Sequence, residues 1–163
     1  MFPDDIENLA RQVLDAAAAR GLMIVTAESC TGGLVAGALT AVAGSSAVVE
    51  RGFVTYSNAS KSALLGIPAG LIDEHGAVSA VVARAMAEGA LTRSAAAVSV
   101  AVTGIAGPGG GSAEKPVGLV HFAAAGPAGL VHLERRFGDI GREAVRLESV
   151  RAALRLLLDR IGG

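Results

Sequence analysis

The chain has 163 residues, of which 52% are hydrophobic and 18% charged, and its formal net charge at pH 7 is -1. That length can bury one good core, so a single domain over 1–163 is expected, and the scattered basic residues leave no electrostatic footprint for nucleic acid or an anionic membrane. Aromatic residues, at 3%, are too few for a base-stacking platform, and apolar runs such as Ala95 to Val102 fall far short of the ~20 residues of a bilayer span. In chain order, Pro3 and Asp4 with Glu7 read as a capping-box-like start to a helix that carries Ile6, Leu9, Val13 and Leu14 on one face and ends at Gly21. Leu22 to Thr26 then reads as a strand, Thr31 to Val42 as a helix stopped by Gly44, and Phe53 to Tyr56 as a second strand, which together begin a βαβ pattern.

Ser57 and Asn58 can cap a short helix through Leu65 that Pro68 breaks. Ser79 caps another to about Leu91, with Val81, Val82, Ala85 and Met86 inward. Ala96 to Val102 is apolar except for Ser99, which suits a central strand covered by helices on both faces. A glycine-rich loop from Gly104 to Pro116 follows, and then strands Val117 to Ala124 and Leu130 to Phe137 joined by Gly126-Pro-Ala-Gly129 as an antiparallel hairpin. The last helix starts near Gly141-Arg142, with Val150, Leu154, Leu157, Leu158 and Ile161 on one side. The expected fold is three-layer α/β/α, with a mixed, mostly parallel central sheet and an antiparallel hairpin near the C-terminus.

Ligands of open α/β sheets sit beyond the carboxyl ends of strands. Three unusual segments fall there: Glu28-Ser29, Tyr56-Ser57-Asn58 and Thr103-Gly104. Neighbouring strands would bring them to one crevice. The stretch Ala27-Glu-Ser-Cys-Thr-Gly-Gly33 places a hydroxyl and a thiol beside helix-start amides, which are natural donors to an anion or a developing oxyanion. Ser29 needs a base, and no histidine lies in a comparable strand-end segment. Lys61 can serve if desolvation or neighbouring positive charge lowers its pKa; the alternative is a solvated surface charge. Cys30 competes as nucleophile, since a thiol at a helix start has a depressed pKa, whereas a buried cysteine is inert. Tyr56 is either a core-edge aromatic or a donor that orients the base.

The loop Gly104 to Pro116 lacks the Gly-Lys-Ser/Thr ending of a P-loop and leads into a strand, so neither ATP nor NAD binding follows from it, although its backbone can approach a ligand closely. Arg142 and Arg146 share a helix face and can clamp a phosphate, or pair with Glu143 and Glu148. His75, His121 and His132 show no metal-ligand spacing, so no metal is assigned. The lone cysteine rules out an intramolecular disulfide, and acids in the first twenty residues stand where a secretory leader is basic and apolar, so a cytoplasmic protein is expected.

Five segments together, Ala27–Gly33, Arg51-Gly-Phe-Val-Thr-Tyr-Ser-Asn58, His75-Gly-Ala-Val-Ser79, Thr103-Gly-Ile-Ala-Gly-Pro108 and Lys115-Pro-Val-Gly118, resemble the CinA C-terminal domain family in order and nearly end to end. The resemblance implies a nicotinamide-nucleotide amidohydrolase of the stand-alone form, one that hydrolyses the carboxamide of nicotinamide mononucleotide to nicotinate mononucleotide and ammonia, a salvage step toward NAD, with no cofactor or metal. It makes Ser29 the nucleophile, Lys61 its general base and Tyr56 a partner in that network, and it places Thr103 and Arg142 on the substrate. Thr31, Gly32, Gly33, Asn58 and Gly104 complete the candidate substrate-binding set. The alternative is a non-catalytic nucleotide- or partner-binding domain of the competence/damage-inducible type. The many small apolar residues in a short chain also suggest a homo-oligomer.

Overall fold

A computed structural model of the chain describes residues 1–162. Five strands form one sheet in the order β2-β1-β3-β4-β5: β1 (Ile24–Glu28), β2 (Val49–Val54), β3 (Val98–Gly104), β4 (Leu119–Gly126) and β5 (Gly129–Arg136). β1 pairs in parallel with both β2 and β3, while β4 runs antiparallel to β3 and β5. Four of the five strands therefore point the same way, as expected of a mostly parallel sheet with an appended hairpin.

Alternation along the central strands splits the core into two layers. Ile24, Val98, Val100, Val102, Val120 and Phe122 face α1 (Asp4–Ala19), α2 (Leu34–Thr40) and α6 (Arg142–Gly162). Val25, Ala27, Ala101, Ala123 and Ala125 face α3 (Asn58–Leu65), α4 (Ala69–His75) and α5 (Ala80–Thr92). The second face is almost all alanine, so α5, itself rich in small residues, packs close to the sheet. Gly89 of α5 lies so near α3 that an added Cβ would stand 2.3 Å from the Leu65 carbonyl oxygen. No helix among the described residues is long and apolar enough to cross a membrane.

Several local expectations need correction. The N-cap of α1 is Pro3, without a side-chain hydrogen bond, so Asp4 and Glu7 make no capping box and instead add negative charge at the positive end of the helix. β1 begins two residues later than expected and extends to Glu28. β2 begins at Val49, earlier than expected, because as an edge strand it tolerates the charged Glu50 and Arg51 that hide its pattern. α2 begins at Leu34 and not at Thr31, for the reason given below. Pro68 does more than end a helix, since it stands at the N-cap of α4. Ser57 and Ser79 do cap α3 and α5, accepting from the amides of Ser60 and Val82, but Val81 of α5 points to solvent and Ala83, Met86, Ala87 and Ala90 face the core with Val82.

Candidate active site

Register aligns Glu28 of β1 with Val54 of β2 and with Val102 of β3. The next residues, Ser29, Thr55 and Thr103, thus lie side by side at the carboxyl end of the sheet. Two bonds extend the ladders by one rung: the Ser29 amide donates to the Val102 carbonyl (2.9 Å) and the Thr55 amide to the Glu28 carbonyl (2.9 Å). Period-two alternation sends Ser29 and Thr103 to the same face as Ala27 and Ala101, the face on which α3 packs.

α3 delivers Lys61 to that point. Its side chain is only 1% exposed, and Nζ lies 2.9 Å from Ser29 Oγ, 2.8 Å from the Thr55 carbonyl oxygen and 3.5 Å from that of Tyr56. Burial pushes the Lys61 amine below its ordinary value of 10.5, with a smaller opposing effect from Cys30. A carbonyl oxygen can only accept, so a neutral amine turns its two hydrogens to Thr55 and Tyr56 and its lone pair to Ser29 Oγ. This is the orientation a base requires to take the serine proton.

Glu28, which the sequence reading placed in the crevice without a role, explains the turn after Ser29. Its carboxylate is 1% exposed and accepts from the amides of Val35 (2.8 Å) and Ala36 (3.0 Å), at the start of α2. An anion built into the fold thus already occupies the helix N-terminus that seemed open to a ligand. Thr31, Gly32 and Gly33 form the intervening turn, with both glycines at positive φ, and none of them lines the pocket. Arg146 pins this turn from α6, with Nε 3.1 Å from the Cys30 carbonyl and Nη2 3.2 Å from that of Thr31. A carboxylate at the end of an apolar strand, before a Gly-Gly turn, was the available signal for Glu28; the contact made by Arg146, 116 residues further on, left none.

The pocket in front of Ser29 encloses about 280 Å³ and is bordered by Cys30, Tyr56, Asn58, Lys61, Thr103 to Gly107 and Arg142. Thr103 Oγ1 donates to the Ala77 carbonyl (2.9 Å) and so ties the α4–α5 loop over the site. Gly104 is required by packing, because a Cβ there would meet Val120 Cγ2 at 2.7 Å. Arg142 spans the mouth, with Nη1 2.8 Å from the Gly107 carbonyl and Nη2 2.8 Å from the Tyr56 hydroxyl. The Tyr56 ring is 59% exposed, and its hydroxyl meets Arg142; the contact of this residue with Lys61 runs through its backbone carbonyl. Arg142 and Arg146, despite their shared face, therefore serve different places.

Cys30 borders the pocket but is 6% exposed, and burial pushes its thiol up to about 12, the reverse of a helix-start thiolate. With the α2 N-terminus filled by Glu28, the expected depression is missing. His121 Nδ1 and His132 Nε2 lie 2.9 Å apart on the β4–β5 hairpin, as a hydrogen-bonded, stacked pair.

A family model described as the CinA C-terminal domain matches residues 6–161. The CinA-like protein of Synechococcus sp. (strain RCC307) is 54% identical over 157 residues, which cover 96% of this chain and 38% of that protein. A putative competence-damage inducible protein of Symbiobacterium thermophilum is 59% identical over 126 residues, 77% of this chain and 30% of the relative. The chain thus spans well under half the length of these curated relatives. Among solved structures, the competence/damage inducible protein CihA from Agrobacterium tumefaciens superposes with a TM-score of 0.96 at 57% identity, covering 100% of this chain and 99% of its own. A CinA superfamily protein from Klebsiella pneumoniae gives 0.91 at 36% identity, covering 96% and 98%.

Proposed function

The chain belongs to the CinA C-terminal domain family, and on that premise we propose that it hydrolyses the carboxamide of nicotinamide mononucleotide, giving nicotinate mononucleotide and ammonia, with Ser29 as nucleophile and Lys61 as base. The observation that carries this reading is the fully buried Lys61 amine 2.9 Å from Ser29 Oγ, with carbonyl oxygens at its other sides.

In the proposed sequence, Ser29 Oγ bonds to the carboxamide carbon while its proton passes to the Lys61 lone pair. Cys30, the next residue after the nucleophile, borders the pocket, and its amide is the donor assigned to the oxyanion. The Lys61 ammonium then gives its proton to the amide nitrogen as the carbon–nitrogen bond breaks, and ammonia leaves. The serine ester is cleaved by water, whose proton the regenerated neutral amine accepts and then returns to Ser29 Oγ as the carbon–oxygen bond breaks, restoring both groups. Arg142, Tyr56, Asn58 and Thr103 border the space the pyridine ring would fill, and hold it against the nucleophile.

Incubating the purified protein with nicotinamide mononucleotide tests the reading. Equimolar ammonia and nicotinate mononucleotide are expected, and no product from correctly folded protein would overturn it.

A further inference from the structure

The pocket at Ser29 is small for a phosphorylated nucleotide, since its 280 Å³ falls just under the ~300 Å³ at which ligand sites begin. A second cavity of about 560 Å³ lies beside it, and Gly109 and Gly110 border both. Its other walls are the rest of the glycine-rich loop, including Ser112, and the segment after β5 with Arg136 and Asp139. We propose that this second cavity is the subsite for the ribosyl-phosphate arm of the substrate, with the phosphate at Arg136 and the arm crossing at Gly109–Gly110. The inference rests on the amidohydrolase reading above.

Three observations support it. Arg136 is more than half exposed, and its only ion pair among the described residues is a loose one, 3.4 Å to Glu134. Its guanidinium thus has donors to spare for a bidentate phosphate contact. The amides of Gly109, Gly110 and Gly111 take no part in the backbone bonds of the loop, which tie Ser112 to Lys115 and Gly118 to Ile105. Asp139, a carboxylate that also borders this cavity, repels a phosphate and can accept from the sugar hydroxyls. Arg142, in contrast, already donates to Gly107 and Tyr56.

The chemistry of Lys61 gives the arrangement its reason. A phosphate dianion within about 4–6 Å of the amine would favour its protonated form and suppress it as a base. Lys61 borders the Ser29 pocket and not the second, arginine-bearing cavity, so a phosphate bound in the latter anchors the substrate without facing the amine. Glycine at 109 leaves the crossing open, since an added Cβ there would meet nothing within 4 Å and the position is not at positive φ.

The test compares nicotinamide mononucleotide with its dephosphorylated riboside as substrates of wild type, Arg136→Gln, Arg136→Lys and Gly109→Leu. The ratio of kcat/KM for mononucleotide over riboside is expected to fall about tenfold to hundredfold in Arg136→Gln and to recover in part in Arg136→Lys. Gly109→Leu should lower kcat/KM on both substrates by obstructing the crossing, since both carry the ribose past it, and unchanged values there overturn the subsite. In the Arg136 variants, unchanged ratios, or equal losses on both substrates, overturn it. Calorimetric titration of Ser29→Ala protein, with and without Arg136→Gln, separates this proposal from the activity. If wild type turns over neither substrate, the amidohydrolase reading fails. Tighter binding of mononucleotide than of riboside, lost with Arg136, still supports the subsite, and equal binding or none overturns it.

Discussion

Replacing Lys61 with methionine keeps most of the side-chain volume and removes the nitrogen that meets Ser29 Oγ at 2.9 Å. A positioned general base contributes about 10²–10⁴ in rate, equivalent to ~3–5.5 kcal/mol of activation free energy. The upper half of that range is expected here, because the amine is buried and the methionine side chain fills the space a substituting water would need. Ground-state binding should change little, since the polar neighbours of Nζ are Ser29 and two protein carbonyls. Initial rates of ammonia release over a range of mononucleotide concentrations separate kcat from KM, and circular dichroism verifies the fold. Lys61→Arg should not rescue, because a guanidinium stays protonated at any working pH. Wild-type kcat/KM should rise with pH along a limb whose midpoint lies below 10.5, in keeping with the lowered Lys61 value, and the limb should vanish in Lys61→Met. A variant with kcat within tenfold of wild type, or with its whole loss in KM, would refute the assignment of Lys61 as the base.

The same buried amine makes stability depend on pH. Its folded value is below 10.5, so between the two values the unfolded chain binds the extra proton and unfolding free energy rises with pH; below the folded value the cost is present in full. The urea midpoint of wild type relative to Lys61→Met should therefore increase from neutral pH toward 10.5, and a flat or falling difference would contradict it. Cys30→Ala should keep kcat within about threefold and iodoacetamide at neutral pH should not inactivate, because the thiol is buried with its pKa at about 12; rapid inactivation would restore Cys30 as a reactive group. Gly89→Ala should cost about 1–3 kcal/mol in urea unfolding, since its Cβ would press on the Leu65 carbonyl at 2.3 Å. Turnover should fall as well, as α3, which carries Lys61, is displaced; unchanged stability and rate would show that the helix pair yields freely.

Much of the site could be read in the sequence because it follows from strand order. Once β2, β1 and β3 run parallel as neighbours, segments that follow them must converge, and polar residues after apolar strands mark which segments those are. Ser57 and Ser79 gave the starts of α3 and α5 for an equally local reason, a side-chain oxygen against an amide three residues on. The failures were tertiary. The start of α2 depends on the Glu28 carboxylate reaching amides seven and eight residues ahead, which propensity does not encode. Lys61 sits on a short helix of weak amphipathicity, and only the packing of α3 over the strand ends decides that it is buried. Arg142 and Arg146 look equivalent in a helical projection, yet Tyr56 and Gly107 meet one while Cys30 and Thr31 meet the other.

The central claim is that the Ser29 oxygen, activated by Lys61, attacks the carboxamide, and the most direct measurement is the turnover of Ser29→Ala beside wild type on nicotinamide mononucleotide, with binding followed in parallel. The account predicts a loss of about 10³-fold or more in kcat with substrate binding retained. A Ser29→Ala protein that releases ammonia within tenfold of the wild-type rate would contradict it.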